Sequence, residues 1–151
     1  EKIVGHGLAS DVLDPQNLAE ASDVIITVTP SREPILQAGW IKPGTHIAAM
    51  GTDTVGKQEL DPHIVAAATL FGDVAAQAVQ LGECQHAYKA GLIGEEDITT
   101  LGKVINGTDE GRTSEAEVTL FDSTGMALQD LSACILALQA AQEAGKAILL
   151  D

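Results

Sequence analysis

Leu120-Phe121-Asp122-Ser123-Thr124-Gly125-Met126-Ala127-Leu128-Gln129-Asp130 reads as a short apolar strand that runs into a Ser-Thr-Gly turn and opens straight into a helix. At such a junction the backbone N–H groups of the first helical turn lack partners within the helix. With the neighbouring hydroxyls, they are free to hold a polar ligand. The stretch sets the fold once it is read beside the runs upstream of it. Val24-Ile25-Ile26-Thr27-Val28 is nearly continuous in β-branched residues, the composition of a parallel strand covered on both faces. His46-Ile47-Ala48-Ala49-Met50 and Thr69-Leu70-Phe71-Gly72-Asp73 are two further short strands, and residues 116–121 form the strand before the turn. The long connections between them are what parallel crossovers require.

Helices fill those connections. Asp14-Pro15 and Asp61-Pro62 each supply an N-cap followed by proline at the first helical position. Residues 74–90 are rich in Ala and Gln and predict a helix broken near Gly82, and Glu95-Glu96-Asp97 reads as the acidic first turn of a short helix. Residues 107–115 are a polar loop. The last helix places Leu128, Leu131, Ile135 and Leu138 on one face and ends near Gly145. The alternation of strands and helices implies a doubly wound, Rossmann-like α/β parallel sheet. Right-handed crossovers then put all carboxyl ends of the strands on one edge, where ligands bind. Thr29-Pro30-Ser31 and Gly51-Thr52-Asp53 fall on that edge by topology alone.

The 151 residues suffice for one domain with a core, and 45% hydrophobic content argues against disorder. A net charge of −14 and a pI near 4.4 argue against nucleic acid and anionic membrane as partners, since both need clustered Lys and Arg. No apolar run approaches membrane-spanning length. Cys84 and Cys134 lie far apart with no metal-ligand spacing, so no metal is expected. They read as two buried or half-buried thiols of a reducing, cytoplasmic compartment. Cys84 and His86 are two apart, and on a helix they face different directions, which excludes a nucleophilic pair. Trp40, Tyr88, Phe71 and Phe121 read as core or interface residues. The glycine-rich loop of a dinucleotide fold is missing: Gly5-His6-Gly7-Leu8-Ala9-Ser10 comes nearest, with Ser10 at the third glycine.

Met50-Gly51-Thr52-Asp53-Thr54-Val55-Gly56-Lys57-Gln58-Glu59-Leu60, followed in the right order by the stretch from Leu120 to Asp130, resembles the ornithine cyclodeaminase/mu-crystallin family. These are NAD- or NADP-dependent proteins that act on amino acids and cyclic imines. The resemblance runs over roughly residues 18–133 and implies the carboxyl-terminal portion of a longer protein, with the pyrophosphate loop in the part before it. Residues 1–100 would be the remainder of the dinucleotide-binding domain, its first strands lacking. Residues 101–151, with a C-terminal strand and helices, would return to a second, dimerisation and substrate domain. A homo-oligomer, a dimer, is implied.

The resemblance also assigns roles. Asp53 would sit at the reactive face of the nicotinamide and handle protons on the substrate nitrogen or the attacking water, its pKa raised toward neutrality by desolvation. Thr29, Pro30 and Ser31 would line the dinucleotide, together with Met50, Gly51 and Thr52. Lys57 would pair with its phosphate or ribose region, and Ser123 and Thr124 would hydrogen-bond its carboxamide. Read without the family, Asp53 is a turn residue, Lys57 an exposed loop lysine, residues 29–34 a proline-braced turn, and Ser123 and Thr124 helix N-caps. The run Thr29-Pro30-Ser31-Arg32-Glu33-Pro34-Ile35-Leu36 looks closer to imine-reductase and alanine-dehydrogenase-like members than to strict ornithine cyclodeaminases. The implied activity is hydride transfer on an L-amino acid or its cyclic imine. The alternative is a non-catalytic, crystallin-like ligand-binding protein.

Overall fold

The structure, a computed structural model, describes residues 10–148. Gly5-His6-Gly7 therefore lies outside the described residues. In chain order the elements are α1 (Pro15–Ala21), β1 (Val24–Thr27), β2 (Arg32–Leu36), β3 (His46–Ala49), β4 (Gln58–Leu60), α2 (Pro62–Ala67), β5 (Thr69–Gly72), α3 (Ala75–Leu81), α4 (Gln85–Lys89), β6 (Ile98–Thr100), α5 (Leu101–Ile105), β7 (Thr119–Asp122) and α6 (Ala127–Glu143). Single 3-10 turns at Ala38–Trp40 and Glu95–Asp97 complete the set. The two Asp-Pro devices work as the sequence implies: the Asp14 carboxylate accepts from Asn17 N–H, and that of Asp61 from His63 N–H.

β1, β3, β7, β5 and β6 pair in that order into a sheet that is parallel throughout. The last strand in the chain is thus the central strand of the sheet. That corrects the expectation that the C-terminal strand belongs to a second domain. The physical reason is burial: Leu120 and Asp122 are sealed from solvent, and Thr119 nearly so, between β3 and β5. A separate two-stranded parallel ladder, β2 with β4, has no counterpart in the sequence reading. Its register shifts between Arg32 and Leu36, where Pro34 has no N–H to donate.

Alternate residues of the strands make the core. Ile25, Ile47, Leu120, Leu70 and Ile98 face one side and pack with Ala19, Ile64, Val65, Ala78, Val79 and Ala87 from the helices. On the other side β7 and β5 still bury Thr119 and Phe71, but β1 is open among the described residues. Val24, Ile26 and Val28 are 60%, 67% and 71% exposed, so β1 is covered on one face rather than the two its composition implies. The apolar stripe of α6 is in the same condition: Leu128, Leu131, Ile135 and Leu138 are all exposed. Cys134 on that helix is exposed too, against the expectation of a buried or half-buried thiol, whereas Cys84 is buried. No helix among the described residues is long and apolar enough to cross a membrane.

Because Leu120 lies fully buried in the central strand, Leu120→Ala is expected to destabilise the protein by about 2–5 kcal/mol. Urea unfolding checks this. A cost below ~1 kcal/mol would mean that the central strand is not where the core is tightest.

Candidate active site

Strand register decides which loops meet. Thr27 pairs with Ala49, and Ala49 with Asp122, so β1, β3 and β7 end level with one another at their carboxyl ends. Thr29-Pro30-Ser31, Met50-Gly51-Thr52-Asp53 and Ser123-Thr124-Gly125 therefore leave the sheet side by side. The backbone ladder continues into the loops: Met50 N–H donates to Thr27 O at 2.8 Å and Ser123 N–H to Ala49 O at 3.0 Å. The residues singled out from the sequence thus gather at one edge of three neighbouring strands.

Asp53 is exposed and takes a hydrogen-bonded ion pair from Lys57 Nζ, 2.8 Å from its Oδ1; Lys57 also donates to Gly51 O at 2.9 Å. Thr54 Oγ1 donates to the same carboxylate at 3.0 Å. The Lys57 hydrogen bond, then that of Thr54, holds the Asp53 carboxyl below the ordinary aspartate range. The expectation of a pKa raised by desolvation is corrected here: the side chain is 57% exposed and meets a cation. Lys57 faces Asp53 and the Gly51 carbonyl, so in this arrangement it braces the turn.

Thr29 is half-buried; its N–H donates to Glu59 Oε1 at 2.6 Å and its hydroxyl accepts from Ser31 N–H at 3.2 Å. Pro30 and Met50 are exposed. Gly51 and Thr52 are buried. A Cβ at Gly51 would lie 2.6 Å from both Glu59 Oε2 and Thr29 N, so only glycine lets these groups approach. The Thr52 hydroxyl turns inward and donates to Glu83 Oε2.

Ser123 and Thr124 are not helix caps, since α6 begins at Ala127. Ser123 Oγ donates to Asp73 Oδ2 at 3.1 Å, which also accepts from Gly125 N–H at 3.2 Å, while Gln129 Nε2 reaches Asp73 Oδ1 at 2.9 Å. Thr124 Oγ1 donates to Gln77 Oε1 at 3.1 Å. Asp73, just after β5, thereby fixes the turn that leads out of β7.

Beneath the loops, with Glu59, lie two more buried carboxylates; sequence reading singled out none of the three. Glu83, between α3 and α4, accepts at Oε1 from Leu60 N–H (2.7 Å) and Glu59 N–H (2.9 Å), and at Oε2 from Thr52. Burial pushes its pKa up, opposed by those hydrogen bonds. Asp122 accepts from Cys84 N–H at 2.9 Å, with its other oxygen unpartnered. A Cβ at Gly82 would meet the Asp122 carboxylate at 2.5 Å. Next along the chain, Gln85 accepts from Gly56 N–H (2.8 Å), and His86 Nε2 lies 3.0 Å from Lys57 O. The segment excluded as a Cys/His nucleophile is instead a cradle for the Asp53 loop. The available signal was a glutamate set between Gly82 and Cys84, two small residues that permit burial.

A concavity of about 410 Å³ lies elsewhere, on the face of the sheet opposite the aliphatic core, beside His46, Phe71, Arg112 and Phe121. His46 and Thr119 mark it as belonging to the amino ends of the strands, opposite the loop edge. Desolvation, then the charge of Arg112, lowers the pKa of His46. Among the described residues no cluster of three or more His, Cys, Asp or Glu side chains is placed to hold a metal.

A parallel α/β sheet with hydroxyls, a carboxylate and an exposed methionine collected at the carboxyl edge of adjacent strands is the architecture of doubly wound ligand-binding proteins. The chain belongs to the ornithine cyclodeaminase/mu-crystallin family, whose sequence model matches residues 9–145. It is 49% identical over 141 residues to the iminosuccinate reductase of Paracoccus denitrificans, covering 93% of this chain and 44% of the relative. The crystal structure of that reductase in complex with NAD+ superposes with a TM-score of 0.88. An archaeal alanine dehydrogenase dimer with bound NAD gives 0.89 at 38% identity, covering 96% of this chain and 45% of that one. Delta(1)-pyrroline-2-carboxylate reductase of Thermococcus litoralis, with NADH and L-proline, gives 0.86 at 32% identity, covering 92% and 44%. The chain thus spans less than half the length of these relatives.

Burial raises the pKa of Asp122 from 3.8 to about 6. The folded state therefore holds that proton after the unfolded chain has lost it. The group's contribution to stability is complete below pH 3.8 and is lost as pH rises through about 6. Asp122→Asn should flatten the fall in unfolding free energy across that window. Parallel wild-type and variant curves from urea unfolding between pH 4 and 7 would disprove it.

Proposed function

We propose that the protein to which these residues belong is an NAD- or NADP-dependent oxidoreductase. It interconverts an L-amino acid and its imine, in the manner of the imine reductases and alanine dehydrogenases rather than strict ornithine cyclodeaminases. The observation that carries the reading is the level ending of β1, β3 and β7, which gathers Thr29, Asp53 and Ser123 at one edge. Identities of 49% to an iminosuccinate reductase and 38% to an alanine dehydrogenase point to the same chemistry.

The residues at the edge suit the nicotinamide end of a dinucleotide. Thr29, Ser123 and Thr124 bring hydroxyls for a carboxamide, and Met50, 44% exposed, brings an apolar surface for a ring. Pro30, Ser31, Gly51 and Thr52 shape the wall through their backbone, and Lys57 holds the Gly51 carbonyl in place. The bound cofactor would supply or accept a hydride at the carbon bearing nitrogen. Asp53 stands where it would accept a proton from the substrate ammonium or from water and return it in the reverse direction. The Lys57 pair lowers its basicity, so this role requires that bound cofactor and substrate desolvate the carboxylate or draw Lys57 away.

The exposed stripe of α6 and the exposed face of β1 fit a second domain and a homodimer, with residues 101–151 crossing from the sheet to that domain through β7 and α6. The full-length protein should sediment as a dimer; a monomer at all concentrations would remove this part of the reading. A cytoplasmic location fits the unpaired thiols of Cys84 and Cys134, and fractionation of cells is the check.

In the full-length protein, Asp53→Asn should cut turnover by about a hundredfold or more while leaving the dinucleotide dissociation constant within about threefold. Binding of NADH by the wild type with no turnover of any amino acid or imine would favour a crystallin-like binding protein. Unchanged turnover in the variant would reduce Asp53 to a turn residue.

A further inference from the structure

The candidate site stands on a continuous series of buried acids. Asp122 closes β7, directly before Ser123, and takes the N–H of Cys84. The residue before that cysteine, Glu83, takes Thr52 of the Asp53 loop and two amides of β4. β4 presents Glu59, whose carboxylate takes the N–H of Thr29 at 2.6 Å and lies against the Cα of Gly51. Glu59 thus joins the Thr29 and Gly51 segments directly, and Glu83 and Asp122, linked through the Glu83-Cys84 backbone, join the Thr52 and Ser123 segments; all three carboxyl groups are sealed from water. Buried acids ordinarily carry a penalty that an apolar side chain would avoid. Three in a row beneath one loop edge require an explanation other than stability.

We propose that Glu59 and Glu83 are positioning residues of the site, a role that rests on the functional reading above. They fix the spacing between the Thr29 loop, which would line the dinucleotide, and the Gly51–Asp53 loop, which would carry the proton chemistry. Glu59 acts through Thr29 N–H and Gly51, and so bears on cofactor affinity. Glu83 acts through Thr52 and the β4 backbone, and so bears on the placement of Asp53. What matters in each is a hydrogen-bond acceptor at a fixed point, since every partner is an N–H or a hydroxyl.

The test uses the full-length protein. It combines NADH binding by fluorescence, steady-state kinetics and thermal melting for wild type, Glu59→Ala, Glu59→Gln, Glu59→Asp, Glu83→Ala and Glu83→Gln. Glu59→Ala should weaken NADH binding by about tenfold or more, with kcat at saturating dinucleotide within about threefold. Glu83→Ala should instead lower kcat by about tenfold or more. Each glutamine variant should recover to within about threefold of wild type: the amide oxygen still accepts from Thr29 N–H at position 59 and from the two β4 amides at position 83, where the NH2 can donate to a Thr52 hydroxyl that turns acceptor. If an alanine variant does not fold, Glu59→Asp decides: it keeps the carboxyl group but withdraws the acceptor by one methylene, and should weaken NADH binding several-fold. Variants that melt earlier yet bind and turn over like wild type would overturn the proposal, as would glutamine variants as impaired as the alanines. A wild type that binds neither NADH nor NADPH would overturn the functional reading, and this inference with it.

Discussion

Glu83 is a carboxylate with almost no access to water, and its position is tolerable only while three donors stay in place around it. Those donors come from the loop after β3 and from β4, whereas the glutamate itself comes from the turn between α3 and α4. A buried acid that loses a donor must be desolvated without compensation, so the surrounding backbone has little freedom to move. The loop edge inherits its shape from that demand. Gly51 and Gly82 are the counterpart: each leaves out a Cβ where a carboxylate has to come within contact of the main chain.

The second determinant is the parallel register. β7 enters the sheet last in sequence and sits at its centre, between strands formed far earlier in the chain. Its insertion puts Ser123 beside Ala49, and hence next to the Met50–Asp53 loop. The same insertion seals Asp122 under Cys84 and links the helix turn to the strand edge. The shape of the loop edge and the packing in the middle of the sheet are consequently set by one short strand.

The two sides of the sheet are unequal among the described residues. One carries the helices and the aliphatic core. The other shows β-branched residues of β1 and, further along the chain, α6 shows leucines, both at exposures that water alone does not favour. The relatives it matches are more than twice the length of this chain.

Much of this was legible in the residues themselves. β-branched runs, Asp-Pro caps and long connections are local signals, so the strands at Val24, His46 and Thr69 and the helices between them follow from short stretches of sequence. The parallel α/β class and the gathering of these loops at one sheet edge follow with them, as does family membership from the paired motifs around Asp53 and Ser123. Only the tertiary structure decided that β7 is central, that β2 and β4 pair, that Lys57 holds Asp53 ionised, and that Glu59, Glu83 and Asp122 lie beneath the loops. Each of those depends on groups brought together from distant parts of the chain, or on how much water reaches a side chain. A sequence states the charge of a glutamate; the fold determines whether water or backbone amides must satisfy it.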